Sequence, residues 1–437
     1  MHTNEFPLVT ALPFVALVVA IALLPLAAPA WWHHNRNKAL VSLLLATPIA
    51  IYLGLTAPEL LHEKLHEYLG FIVLLSALFV VTGGIHIQGS LAGTPLINTG
   101  LLGIGAVLAN LLGTTGASVL LIRPLLRANK RRKRVAHIVI FFIFIVANCG
   151  GLLTPIGDPP LLLGFLKGVP FDWTLRLWPQ WLTLNGILLI IFNFWDQWAL
   201  DKDEKELPGS QHEEVLIHEP LRITGAIEIL VLLTIIAAIV AAGRAAAAGN
   251  PWNRNARDLL IAALAVVGFF AGSGERRAKN LFTFTPIIEV AILFAAIFAT
   301  MAPVLEILNA WAARPDFALK TPAHFFWASG SLSSVLDNAP TYLAFVASAA
   351  GMHNVAPHGA YIGALALDPG AAKILAAIST GSVFMGANTY IGNAPNFMVK
   401  AIAEENGVKM PSFFGYMAYS LTILLPIYVV VMLLFIR

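Results

Sequence analysis

Polar residues punctuate this chain instead of alternating along it. Apolar runs of 18 residues or more recur from end to end, separated by short clusters of charge, proline and aromatic side chains. No run alternates with a period of two, which excludes a membrane β-barrel. Each run is long enough to cross a hydrocarbon core of roughly 30 Å as a helix. The pattern predicts spans at roughly 8–31, 38–57, 68–85, 135–166, 177–199, 222–243, 258–272, 284–303, 371–405 and 412–436. The first has no basic segment before it and ends in Trp31-Trp32, an interface anchor, so it reads as a span and not as a cleaved signal. Two further apolar segments, 96–127 and 323–350, carry small polar breaks at their centres: "NLLGTTG" from Asn110 and "DNAPT" from Asp337. Each is long enough to enter and return, and each reads as a re-entrant hairpin.

Composition agrees with the pattern. Of 437 residues 58% are hydrophobic and 12% charged, against roughly 25% charged in soluble domains. The expected class is an all-α polytopic protein with the lipid bilayer as its surroundings. The single cysteine, Cys149, excludes a disulfide framework and a cysteine-based metal cluster. A net charge of +3 matters less than where the charge sits. The cluster "RANKRRKR" at 127–134 is expected on the cytoplasmic side of the inner membrane. That choice puts the loops at 35–38 and 275–279 and the linker 201–221 inside, and both termini and the arginines at 244, 254 and 257 outside. Topology and lipid headgroups account for the cluster, and no nucleic-acid partner is expected.

The two halves resemble each other where helices are least comfortable. Residues 151–160, "GLLTPIGDPP", align with 386–395, "GANTYIGNAP". Gly151, Thr154, Ile156, Gly157 and Pro160 match Gly386, Thr389, Ile391, Gly392 and Pro395, and Asp158 faces Asn393. The hairpin tips align "VLAN", ending at Asn110, with "VLDN", ending at Asn338. Residues 1–200 form a first repeat, with hairpin 96–127 and broken helix 135–166. Residues 222–437 form a second, with hairpin 323–350 and broken helix 371–405. Five spans plus one hairpin per half is an odd number of crossings, so the repeats are expected to be inverted. Matched Gly/Pro interruptions in two halves point to a transporter's central site.

Pro155, Pro159 and Pro160 remove backbone donors, and Gly151 and Gly157 let the chain leave helical geometry. Non-helical backbone at membrane depth survives only where protein or a wet cavity satisfies it. The polar side chains at the breaks are Asn110, Thr154, Asp158, Asp337, Asn338, Asn388, Thr389 and Asn393, with the threonines at 114 and 115 beside them. Nearly all are hard oxygen ligands, two are carboxylates, and no lysine or arginine lies within the breaks. That set suits a hard monovalent cation and protons. Proton and cation exclude each other at one carboxylate, which is the chemistry of antiport. Asp158 and Asp337 are therefore the candidate sodium ligands and proton carriers, with no resident cofactor. Each could instead cap a helix.

The segments "NCGGLLTPIGDPPLLLGFLKGVPF" (148–171), "SSVLDNAPTYLAF" (333–345) and "GANTYIGNAPNFMVKAIAEENG" (386–407) resemble the ion transporter superfamily. The nearest branch holds NhaD-type sodium/proton antiporters, arsenite permeases and proteins labelled citrate transporters. The stretches at 79–90 and 289–303 extend the resemblance over most of the chain. It implies two inverted repeats, a scaffold against a mobile transport region with elevator-like motion, and a homodimer. It also implies ion handling by the acids of the "DN" and "GDP" motifs, here Asp337 and Asp158. Dicarboxylate carriers of the wider superfamily have Ser-Asn-Thr tips, which this chain lacks. The expected function is sodium (or lithium)/proton antiport, with a citrate-like carboxylate or arsenite as alternative cargo.

Two enzyme readings compete. "HEKLH" at 62–66 matches a zinc-protease helix, but it lies in a polar stretch between spans and no third ligand follows at 69 or 72. Two facing aspartates could mimic an aspartyl protease, but the expected G-x-G-D is absent. Glu228 and Glu289 near span ends are expected to reach the interface or serve function.

Overall fold

The computed structural model describes residues 6–89, 92–206, 222–247, 250 and 252–436. The greater part of the linker expected at 201–221 lies outside them. Ten helical segments among the described residues are long and apolar enough to cross a membrane. In chain order the helices of the first half are α1 (Leu12–Ala27), α2 (Asn35–Thr56), α3 (Pro58–Thr82), α4 (Pro95–Ala128), α5 (Ala136–Ile145), α6 (Pro159–Leu166) and α7 (Trp178–Glu206). Those of the second half are α8 (Ala226–Ala247), α9 (Arg254–Ala271), α10 (Gly274–Lys279), α11 (Thr285–Ala312), α12 (Pro322–Ser333), α13 (Asn338–Met352), α14 (Tyr361–Leu367), α15 (Pro369–Met385), α16 (Ala394–Glu405) and α17 (Phe413–Phe435). Proline opens many of them, where its missing N–H costs nothing and its fixed φ suits the first turn.

As a straight rod, α4 would run roughly 50 Å, far more than a bilayer core. It folds back instead at Gly113, whose φ of 75° and ψ of 156° no side-chain-bearing residue adopts comfortably. Its ends meet: Asn98 and Asn129 exchange two amide hydrogen bonds of 2.9 and 2.8 Å. Asp196 accepts from Asn98 (2.8 Å) and pairs with Arg132 (2.6 Å) and His137 (2.8 Å), pinning the hairpin base to α5 and α7. Part of the basic cluster is thus structural. Arg132 is buried, and Arg134 pairs with Asp203 at 2.6 Å. In the second half α12 and α13 are joined by 334–337, and Phe325 faces Phe345 across them with centroids 6.4 Å apart.

Two sets of helices share one apolar core. In the first, α11 packs on α2 and α3, and α9 on α3 and α8, with Phe71 stacked on Phe294 at 4.8 Å. In the second, α12, α13 and α15 pack together, and α4 lies against the first break, α7 and α16. The α5 helix is apolar all round and almost wholly buried, as a central helix must be. The sets meet mainly where α13 lies on α11 and where α4 and α6 touch α3.

Two expectations need correction. The third span starts at Pro58 and not near 68, so "HEKLH" forms turns of α3 itself, with Lys64 only 2% exposed. Other elements cover its polar face, which hydropathy along the chain could not register. The segment 258–272 is helical as α9, but Arg254, Arg257 and Asp258 in its first turns keep it off the apolar set, which instead includes α4. A two-stranded antiparallel sheet, β1 (His86–Gln88) with β2 (Arg222–Thr224), was not foreseen; its strands are three residues long.

Candidate functional site

The first break begins where α5 ends. A 3-10 turn, Cys149–Leu153, leads to the extended residues Thr154 and Asp158, and α6 restarts at Pro159. The chain crosses itself there. A Cβ on Gly157 would sit 2.1 Å from the Gly151 carbonyl oxygen, so the crossing requires glycine. The second break is built alike: α15, a 3-10 turn Gly386–Asn388, extended Thr389 and Asn393, then α16. Its crossing pair is Gly392 on Gly386, 2.6 Å from a would-be Cβ to oxygen.

Asp158 occupies the N-cap position of α6 but makes no capping bond with its side chain. The reason is local. Pro159 and Pro160 fill the first two helical positions and offer no N–H, and Leu161 N at the third donates to the Asp158 backbone carbonyl (3.0 Å), so the carboxylate is free to look elsewhere. It accepts from Thr114 Oγ1 (2.8 Å) on the first hairpin, from Asn338 Nδ2 on the second hairpin, and from Asn393 Nδ2 (3.2 Å) on the second break. Four interrupted elements, with a donor as much as 235 residues from Asp158, therefore meet at one carboxylate that is 1% exposed. All three donors are neutral. Asn338 Oδ1 is buried without a partner beside it. Asp337, by contrast, does cap: its Oδ1 accepts from Ala339 N at 3.0 Å.

Asp158, Asp337, Thr114 and Asn393 line a cavity of about 510 Å³. It runs along Leu75–Thr82 of α3 to a mouth at Trp32, His33, Lys38 and Glu289. Lys38 and Glu289 are paired at 2.6 Å across that mouth. The mouth lies at the end of the molecule that carries the basic cluster: Arg127 reaches Ile87 O, Asn280 reaches Ile85 O, and Asn35 reaches Thr285 O.

Thr115 also lines the cavity, whereas Asn110, Thr154, Asn388 and Thr389 lie outside its lining and hold the breaks in shape. Asn110 donates to Gly150 O (2.7 Å) and accepts from Leu153 N (2.8 Å), and Thr154 donates to Asn110 O (2.5 Å). Thr389 donates to Ser334 O (2.5 Å), and Asn388 donates to Ser334 Oγ (2.9 Å). These bonds correct the alignment of the tips. Ser334, not Asn338, stands opposite Asn110, because each receives the break's threonine. Asn338 then stands opposite Thr114, four residues on, and both bond Asp158.

Sequence reading missed Asn148 and Asn396, both fully buried. Asn148 Nδ2 donates to Asn396 Oδ1 at 2.7 Å, and Asn396 donates to Gly386 O and Thr389 O, tying one break to the other. An amide inside the apolar run 136–153 was the available signal. Cys149 is wholly buried in packing. Neither outlying acid is a lone interface group: Glu289 pairs with Lys38, and Glu228 is fully buried with both oxygens accepting from Arg276 Nη2 (2.6 and 2.7 Å). At the zinc motif the rings of His62 and His66 lie 4.3 Å apart, but Glu63 accepts from Gly359 N (2.9 Å). Among the described residues no group of three or more His, Cys, Asp or Glu is placed to hold a metal ion.

Residues 3–436 match the model of a protein family described as "Putative citrate transport". No curated protein matches the chain.

Proposed function

The chain belongs to that transporter family, and from this premise we propose a secondary active transporter that exchanges sodium or lithium for protons by alternating access. The convergence of four interrupted elements on Asp158, with neutral donors only, carries the reading. A carboxylate held that way has no resident countercharge, so it is completed by either a proton or a small cation. The Asn338 Oδ1 acceptor and the Thr114 hydroxyl stand ready as neutral oxygen ligands once the amide and hydroxyl turn their donors away. Proton and cation then compete for one seat. Asp337, on the same cavity wall, is the second acid.

In this reading the two halves are inverted repeats, the second helix set moves against the first, and the protein works as a homodimer in the inner membrane. The same reading has the cavity mouth face the cytoplasm, supported by the basic cluster at that end, with both termini outside.

A carboxylate cargo is the second reading. The N-termini of α6 and α16 face the cavity, and such ends attract anions. Against it, an incoming carboxylate would meet Asp158 and Asp337.

The test uses everted vesicles holding a pH gradient. Sodium or lithium is expected to collapse the gradient, and Asp158→Asn to abolish the effect. Accumulation of labelled citrate with a gradient indifferent to monovalent cations would overturn the antiport reading.

A further inference from the structure

At the end opposite the cavity mouth, six ionisable side chains from four elements meet. Glu63, Lys64 and Glu67 come from α3 and Glu306 from α11, all in the first helix set. Lys167 follows α6 and His358 lies in the loop before α14, both in the second set. Lys167 Nζ lies 2.5 Å from Glu67 Oε1, and Lys64 Nζ lies 3.2 Å from the same oxygen. His358 Nε2 is 3.4 Å from Glu306, and its Nδ1 is 3.7 Å from Glu63, which also holds Gly359 N. Lys167 O accepts from Gly363 N (3.1 Å), which ties Lys167 to α14, the helix that follows the His358 loop. Both lysine side chains are only 2% exposed.

Among the described residues these are ion pairs that join the two sets, which otherwise touch mainly through apolar side chains, with Asn309 of α11 donating to Ala347 O (3.0 Å) and Val355 O (2.8 Å). Apolar surfaces can slide past one another at little cost, whereas buried ion pairs hold one register. Breaking such a pair loses the attraction but returns each charge to water. The two outcomes are therefore close enough in free energy to be switched by one proton.

We propose that this cluster is a latch: Lys167–Glu67 and the His358 contacts hold the second helix set against α3 and α11 in the conformation seen here, and loss of the charge on His358 loosens it. The inference rests on the transporter reading above, in which the two sets move against each other.

With His358 charged, three cations face three acids; with His358 neutral, the acids are in excess. His358 is faced by Glu63 and Lys64 from α3 and by Glu306 from α11, and the same cluster holds Glu67 of α3, Lys167 at the end of α6 and Tyr361 of α14, whose ring lies 5.3 Å from Lys167 Nζ. On its own loop His353 lies 4.0 Å from Asp368. The bond to Glu63 raises the pKa of His358 above its ordinary value. The held conformation thus binds the proton more tightly than a released one. Its extra stability is complete below the ordinary histidine range and is lost as pH rises through the raised value. Burial lowers Lys167 to about 8, so it stays mostly charged over that range.

The test is a pair of spin labels on the full chain in nanodiscs, at Glu59→Cys and Asp172→Cys with Cys149→Ala, without sodium. One distance is expected to dominate at pH 6, and a second to gain about threefold in population by pH 7.5. His358→Gln should give the same distribution at both pH values, and Lys167→Met should favour the second distance even at pH 6. His358 is half-exposed, so its variant tests the latch even where Lys167→Met fails to fold. A His358→Gln protein that keeps the full pH response, or a parent that shows none, overturns the latch. Sodium/proton exchange is measured on the same proteins in liposomes. Distances that respond without exchange sink the antiport reading alone, and exchange without responding distances sinks the latch alone.

Discussion

Replacing Asp158 by asparagine changes one atom and one charge. The side chain keeps its shape, its neighbours are the neutral groups of Thr114, Asn338 and Asn393, and all of them can rotate or flip to suit an amide. The fold should therefore tolerate the change. With no cationic partner to offset its desolvation, the carboxylate is a burden on the resting protein, so the variant is expected to melt at the same temperature or a few degrees higher. Ion binding should suffer heavily. A unit charge about 4 Å from a monovalent cation contributes about 4 kcal/mol at an effective dielectric of about 20, which is roughly a thousandfold in affinity. The assay is twofold. Dequenching of a pH-sensitive dye in everted vesicles on addition of sodium should vanish at millimolar concentrations. The sodium-induced rise in melting temperature of the purified protein should vanish with it, since a ligand that no longer binds cannot stabilise. An Asp158→Asn protein that exchanges sodium with unaltered apparent affinity would refute the reasoning at its root, because among the described residues Asp158 is the carboxylate that accepts from both hairpins and from the second break.

Gly157→Ala would put a methyl group 2.1 Å from the Gly151 carbonyl oxygen, both on backbone that cannot yield, and should cost about 3 kcal/mol or more; loss of the monodisperse peak in fluorescence size-exclusion chromatography checks it. Glu228→Gln should lower stability by about 2 kcal/mol, allowing for the partial exposure of Arg276, and melting in detergent measures this. Asn148→Ala and Asn396→Ala should each cost about 1–3 kcal/mol by orphaning a buried amide, and the double variant less than the sum, which a double-mutant cycle reads directly. Purified protein is expected to carry no stoichiometric zinc, and metal analysis with and without His62→Ala checks that directly.

The breaks were legible because their causes are local. A proline lacks its N–H and a glycine its Cβ wherever the chain later goes, so Pro155, Gly157 and Gly392 announced interruptions without any knowledge of neighbours. Hydropathy marked most spans for the same reason. It failed at α3, where Lys64 is buried beside Glu67, an acid that also holds Lys167 a hundred residues along the chain. Charge likewise fell short at "RANKRRKR", where it accounted for the cluster by topology and lipid headgroups while Arg132 was claimed by Asp196.

What residue type alone did determine is that polar oxygens would gather at two interruptions within apolar runs. Which of them face the cavity was decided only by the fold. Asn110 and Thr114 stand four residues apart on one hairpin, of similar chemistry, yet Asn110 holds the backbone of the break while Thr114 faces Asp158. Away from water a polar group must find its partner within the protein. Those partners can lie 248 residues along the chain, as Asn148 and Asn396 do, so each side chain's role is settled by packing at long range and not by its own identity.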